Sequence, residues 1–330
     1  MTGEKGLLLA LVRSALWNRP LPADVCAQLR DLSSSQWRGV LQLARQQSVT
    51  GLVYGALQHL PEGMVPPEDI LFRLVADADR VIRRSGRLAS AQGILLDRLS
   101  GFHPLVMKGS VCAGRYPAPE LREMGDIDLY MPDAGVREIL DAVHESPESA
   151  TIFPDGSLHF VFQDFDVDIH RHYYDLHGKN LPAPGSEEGE LLMLSAHILK
   201  HAIGPGVGLR QICDLALALS QVPDGVEKLT ECSRRAGIGR WNRLLLSYLG
   251  ASVFADAAEE NVAAGPLARI IWNGGNFGHH SASRKVILEK QPFRRKADTL
   301  HLYLSHLPFG IRYAPREYLL YGLDLARGNL

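Results

Sequence analysis

Two aspartates one residue apart, Asp126 and Asp128 in GDIDLY, follow a Lys108-Gly109-Ser110 turn that closes the apolar run Pro104 to Met107. On a strand, residues i and i+2 share a face, so both carboxylates meet the same space while Ile127 and Leu129 point into a core. Such a pair suits hard divalent cations, which take oxygen ligands and keep positions open for phosphate and water. Phosphoryl and nucleotidyl transfer need charge neutralisation and in-line positioning, commonly through two ions held by shared carboxylates. A bare pair also fits solvated aspartates on an edge strand. The order of the neighbouring features favours a site: a strand, the Gly109-Ser110 turn, a helix and then the aspartate strand. Free N–H groups and the Ser110 hydroxyl at the helix start can meet phosphate oxygens.

A third carboxylate belongs on a neighbouring strand. In Phe165 to His170, Asp166, Asp168 and His170 alternate with Val167 and Ile169, and Asp168 can serve both as a metal ligand and as the proton acceptor for an attacking hydroxyl. An ordinary exposed strand face is the competing reading. Lys108 offers phosphate a point charge, or is a solvated lysine at a strand end. Arg122, four residues before Asp126, can fork onto a phosphate or brace the carboxylates. His197 and His201 have metal-pair spacing on a helix, but Ile198 stands where a zinc protease would carry its glutamate. They read as cleft-lining or as structural histidines. Arg210 and Asp214 have the spacing of an intrahelical ion pair.

The elements that carry these residues follow from apolar periodicity. From Leu7 to about Leu99 the spacing is helical, broken by Pro20, Pro22, Pro61, Pro66 and Pro67, with N-caps at Ser33 to Ser35. Strands are expected at Pro104 to Met107, Gly125 to Met131, Ser157 to Phe162 and Phe165 to His170. Short helices are expected at Ser110 to Arg115 and Gly135 to His144. Pro182, Pro184 and Gly185 mark a linker. Helices then run approximately from Glu188 to His201, Leu209 to Ser220, Gly225 to Ala236, Trp241 to Ala257, Leu267 to Trp272, Arg294 to Ser305 and Pro315 to Arg327. The expected organisation is a helical region at 1–99, an α/β unit at 100–184 and a helical region at 185–330.

Composition narrows the function classes. With 35 basic and 37 acidic residues the net charge is −2, which gives no global field for extended DNA. Cys26, Cys112, Cys213 and Cys232 are scattered and read as reduced core thiols. The apolar run Gly6 to Val12 reads as an amphipathic helix of a cytoplasmic protein, and no stretch reaches the roughly 18 uninterrupted apolar residues of a membrane span. Near the C-terminus, Gly274 to Gly278, His279, His280 and the basic residues Arg284, Lys285, Lys290, Arg294, Arg295 and Lys296 could receive a phosphorylated acceptor or an RNA end, or be plain solvated surface.

The run LVMKGSVCAGRYPAPELREMGDIDLY, then VDIHRH, then LLMLSAHILKHA with GLRQICDL, resembles the uncharacterised bacterial nucleotidyltransferase family of the polymerase-β-like superfamily. WNGGNFGHH adds to the likeness, which spans about Leu95 to Phe277. The resemblance implies an α+β fold, with a small mixed-sheet nucleotidyltransferase core embedded between helical regions. It implies a metal-dependent transfer of a nucleoside monophosphate from a nucleoside triphosphate, with pyrophosphate released. Asp126, Asp128 and Asp168 would hold two Mg2+ ions, with Mn2+ as a substitute. Lys108, Gly109, Ser110 and Arg122 would bind nucleotide phosphates, and His170, His197 and His201 would line the cleft. The partners would be the triphosphate and an unidentified acceptor, whether small molecule, RNA end or protein, with no membrane. Lys108 before the glycine, and the long interval from Ser110 to Asp126, depart from the general superfamily pattern. A catalytically silent nucleotide-binding protein on the same fold is the alternative. A glycosyltransferase with an aspartate pair is disfavoured by the helical texture of residues 7 to 99.

Overall fold

The computed structural model describes residues 3–204, 206–255, 265–275 and 303–327. Four helices open the chain: α1 (Glu4–Trp17), α2 (Ala23–Arg30), α3 (Ser34–Gln46) and α4 (Thr50–Ala56). Ser33 caps α3 as expected, its hydroxyl accepting from Gln36 N–H while the Gln36 side chain accepts from the Ser33 N–H; this satisfies two donors that the first helical turn leaves open. Residues 7 to 16 of α1 are all buried. The amphipathic expectation for this run is corrected: a helix apolar on every side lies inside a core.

The long helix α5 (Glu68–Arg98) is the spine of the molecule. Ile70 and Leu74 on its first half belong to a core shared with the N-terminal and C-terminal helices. Leu88, Ala91, Leu95 and the following Leu99 pack instead under the sheet. One helix therefore fixes the sheet relative to the rest of the chain.

The sheet has the order β1-β2-β5-β4-β3, from β1 (Leu105–Val106), β2 (Asp126–Tyr130), β3 (Thr151–Ile152), β4 (Leu158–Phe162) and β5 (Phe165–His170). β2 and β5 run parallel and the other pairs antiparallel, so the sheet is mixed, as the resemblance implies. Gln163 and Asp164 join β4 to β5 with positive φ at both residues, the backbone that a two-residue hairpin turn requires. On one face Ile127, Leu129, Val167, Ile169, Leu158 and Phe160 form a core with α5 and α7 (Val136–Val143). The other face carries the aspartates. The short helix α6 (Ser110–Ala113) follows β1.

Over the acidic face come α8 (Glu187–Ile203) and α9 (Leu209–Gln221), followed by α10 (Gly225–Arg235), α11 (Gly239–Leu249) and α12 (Pro266–Gly274). The helix expected from Trp241 onward gives way at Gly250 to a π-helical turn, Gly250–Phe254. The carbonyls of Ser252 and Val253 accept hydrogen bonds from Arg13 and Trp17 of α1, which satisfies acceptors that a helix end leaves open. Buried Gln47 ties the two ends of the chain together: its side chain accepts from Leu209 N–H and donates to the Ile271 carbonyl. Two further helices, Leu307–Tyr313 and Pro315–Arg327, complete the described chain. The first of these and the short strand β3 had no sequence expectation. The cysteines are all free and buried, and no helix among the described residues is long and apolar enough to cross a membrane. The basic cluster from His279 to Lys296, and most of the helix expected from Arg294, lie outside the described residues.

Candidate active site

Asp126, Asp128 and Asp168 converge. Parallel pairing sets Asp128 beside Asp168 in register, and one oxygen from each of the three carboxylates lies within 4.8 Å of the others. Asp128 is the most buried of them, at 6 % exposure. All three donors are hard oxygens, the ligand type that magnesium and manganese take, and a cationic group already sits among them. That group is Lys108, whose Nζ lies 3.0 Å from Asp128 Oδ1. His170 Nε2 approaches the same oxygen at 2.8 Å.

The charges answer one another. Burial opposes an ionised Asp128, but Lys108 and His170 hold its pKa well below the usual carboxylate range. Asp126 moves the other way, raised by burial and by the neighbouring Asp128 charge. Burial also works against the Lys108 ammonium, yet Asp128, Asp175 and Asp126 keep its pKa above the ordinary lysine value. Two neighbouring carboxylates thus differ in proton affinity, with the Lys108 ammonium beside the more acidic one.

Lys108 is delivered by its turn. Gly109 has φ +58° and ψ −107°, a backbone that glycine enters freely and a residue with a Cβ does not, and the lysine is thereby folded back over β2. Ser110 hydrogen-bonds Gln92 of α5 and is not among the residues lining the cavity by the carboxylates. Arg122 closes its fork on Asp214 of α9, with Nε and Nη2 at 2.8 and 2.7 Å from the two carboxylate oxygens. Tyr116 adds a third hydrogen bond to Asp214 at 2.7 Å. Arg122 is thus a long-range partner of Asp214, the Arg210 charge also acts on that carboxylate, and Arg210 Nη1 donates to the Glu123 carbonyl. Behind this segment, Gly51 of α4 lies so close that a Cβ there would sit 2.0 Å from the Leu121 carbonyl oxygen.

A cavity of about 220 Å³ lies between the acidic face and α8–α9, lined among others by Lys108, the three aspartates, His170 and His197. His197 and His201 both line it, their rings edge to face at 4.4 Å. Burial, aided by Lys108, pushes the His197 pKa down to about 4; burial and His197 also lower that of His201. Burial and the nearby cations thus both favour the neutral form of these imidazoles.

Several members of this site had no sequence expectation. His159 of β4 brings Nδ1 to 2.9 Å from Asp168 Oδ1. Counting back from the Phe162 and Phe165 pair, three residues along each strand set His159 opposite Asp168, so the two-residue turn carried that signal. Asp175 receives Lys200 at 2.7 Å and His197 at 3.3 Å; it lies in a loop with no periodic pattern to mark it.

Residues 33–176 match the family model described as Uncharacterised nucleotidyltransferase. No curated protein and no solved structure matches the chain. The matched segment begins near the start of α3 and so takes in α5, earlier than the Leu95 at which the sequence resemblance starts, and it ends soon after β5.

Proposed function

From the match of residues 33–176 to a nucleotidyltransferase family model, we propose that this chain is a metal-dependent enzyme. It moves a nucleoside monophosphate from a nucleoside triphosphate to an acceptor hydroxyl or phosphate and releases pyrophosphate. The observation that carries the reading is the convergence of Asp126, Asp128 and Asp168 on adjacent strands, facing a cavity. In this reading residues 100–184 are the catalytic core between the helical regions 1–99 and 185–330.

The three aspartates would hold two magnesium ions, with manganese as a substitute. Bound there, the ions supply charge neutralisation on the phosphates and in-line alignment. The remaining roles belong to the chain itself. Lys108 sets a positive charge beside Asp128 for the phosphate oxygens, and Gly109 gives the turn that lets it do so. Ser110, through Gln92, locks that turn to α5. Asp168, oriented by His159, accepts the acceptor's proton as the new bond to the α-phosphorus forms and the bond to the bridging oxygen breaks, its electrons leaving with pyrophosphate. Arg122 has its guanidinium on Asp214, so we give it a bracing role in place of direct phosphate contact. His170 holds Asp128, and neutral His197 and His201 form the cleft wall.

The test is a transfer assay with α-labelled nucleoside triphosphates, magnesium and a cell extract as the acceptor source. Label should pass from the triphosphate to one acceptor, and Asp126→Ala and Asp128→Ala should each abolish this while the protein stays folded. Undiminished transfer by either variant sinks the metal assignment.

A further inference from the structure

Asp126 and Arg210 line two cavities. The first is the space that holds Lys108, Gly109 and the carboxylates. The second is larger, about 640 Å³, and lies against α3, α5 and the segment leading into β2. It carries arginines from three helices: Arg45 of α3, Arg80 and Arg84 of α5, and Arg210 of α9.

The arginines are presented in an ordered way. Asp77, 6 % exposed, takes Arg45 on one oxygen at 2.6 Å and Arg80 on the other at 2.8 Å. Its partners' side chains are 47 % and 74 % exposed. A buried carboxylate that aims two guanidiniums outward carries a desolvation cost that a plain surface pair avoids. Arg84 donates to the Met124 and Gly125 carbonyls at 3.2 and 3.0 Å and stands over the Phe165 ring. Arg84 and Arg210 thus grip the backbone of residues 123 to 125, the approach to Asp126. Asp77, Glu123, Asp126 and Asp166 also line this cavity. Its charge is balanced when empty and turns positive once the Asp126 charge is given to a cation.

We propose that the arginine-lined cavity binds the acceptor through a phosphate group, and that the acceptor is a small phosphorylated molecule. This rests on the nucleotidyl-transfer reading above. If the pyrophosphate end of the nucleotide lies by Lys108 and Gly109, in-line attack must come from elsewhere around the carboxylates, and the arginine cavity adjoins them at Asp126. Guanidiniums match phosphate oxygens by bidentate hydrogen bonding. The volume falls within the range of roughly 300–1,000 Å³ that small-molecule sites occupy. The nucleotide's own phosphates have the same chemistry, so the experiment must separate the two sources.

Calorimetric titration of the full chain in magnesium with inorganic phosphate, with and without an ATP analogue whose α,β-bridge is methylene, does this. Phosphate should bind alongside the analogue. The triple variant Arg45→Gln, Asp77→Asn, Arg80→Gln, which leaves no orphan charge, should weaken phosphate binding by at least about tenfold and analogue binding by less than about twofold. Arg80→Glu alone, at an exposed guanidinium, should weaken phosphate binding severalfold and guards against a folding failure. Equal loss of analogue and phosphate would show that the cavity holds the nucleotide's own phosphates and overturn the proposal. Unchanged phosphate binding in the folded variants overturns it as well. Failure of analogues of all four bases to bind the unmodified chain would sink the nucleotidyl-transfer reading, and the acceptor role with it; the phosphate arm run without analogue keeps the two failures apart.

Discussion

Two carboxylate centres line the cavity beside α8 and α9, Asp214 on α9 itself and the aspartate cluster on the sheet, and they are built in opposite ways. Asp214 is closed: both oxygens are taken by the Arg122 fork and one also by Tyr116. The cluster of Asp126, Asp128 and Asp168 is open: Lys108 and His170 both go to a single oxygen of Asp128, and Asp126 is held in the site with its pKa raised. A paired, hydrogen-bonded charge serves the fold, whereas under-neutralised carboxylates beside a cavity are the feature on which the proposed cation site rests.

The largest expected effect separates the two centres by phenotype. Asp168→Ala should lower label transfer by about 10²–10⁴-fold or more, the range for losing a general base, with a melting temperature near that of the unmodified protein. Asp214→Ala should do the reverse to stability: it leaves the Arg122 charge buried and unpaired, at a cost of about 3–5 kcal/mol, read from chemical denaturation. If Asp214→Ala melted normally while Asp168→Ala unfolded, the division between fold and site would be wrong.

A smaller effect concerns the turn that brings Lys108 to the open centre. Gly109→Ala forces a Cβ into a backbone conformation that favours glycine, at about 1–3 kcal/mol. It should also weaken the hold on nucleotide, since Lys108 is displaced from Asp128. Denaturation and analogue titration read the two losses separately. Loss of stability with unchanged analogue affinity would remove Lys108 from the phosphate site.

Much of the open centre was legible in the sequence, and much of the closed one was not. The strand period placed Asp126 with Asp128 and put Asp168 on its own strand, because side-chain direction in a strand is local. The Gly109 turn and the Ser33 cap were likewise local signals. Arg122, by contrast, finds Asp214 92 positions along the sequence, and Asp77, Arg80 and Arg84 reach the neighbouring cavity only because α5 passes from one core to the other. No periodicity encodes such a meeting; it depends on which faces pack. Lys200 and Asp175 are of the same kind. Burial also decides polarity: the leucine run of α1 looks one-sided when read alone and proves buried on every side.

The smallest effect is the sharpest probe of the contrast, because its sign with pH differs between the centres. The Asp214 pKa is lowered on folding: burial opposes its charge, and Arg122 more than offsets that. Its stabilisation is present above the unfolded carboxylate value of about 3.9 and disappears as pH falls through the folded value. The Asp126 pKa is raised by burial and Asp128. Its folded state is unpenalised below about pH 3.9 and loses stability as pH rises through the raised value. Asp126→Asn should therefore stabilise the metal-free protein at neutral pH by about 0.5–2 kcal/mol, the range common for a single stabilising substitution. That gain should fade toward low pH and shrink when magnesium is added, because the unmodified carboxylate then has a cation to bind. Melting curves of both proteins at pH 3.5 and 7, with and without magnesium, read it directly; a gain that is the same in all conditions would mean that Asp126 bears no charge strain and that the open centre is not a cation site.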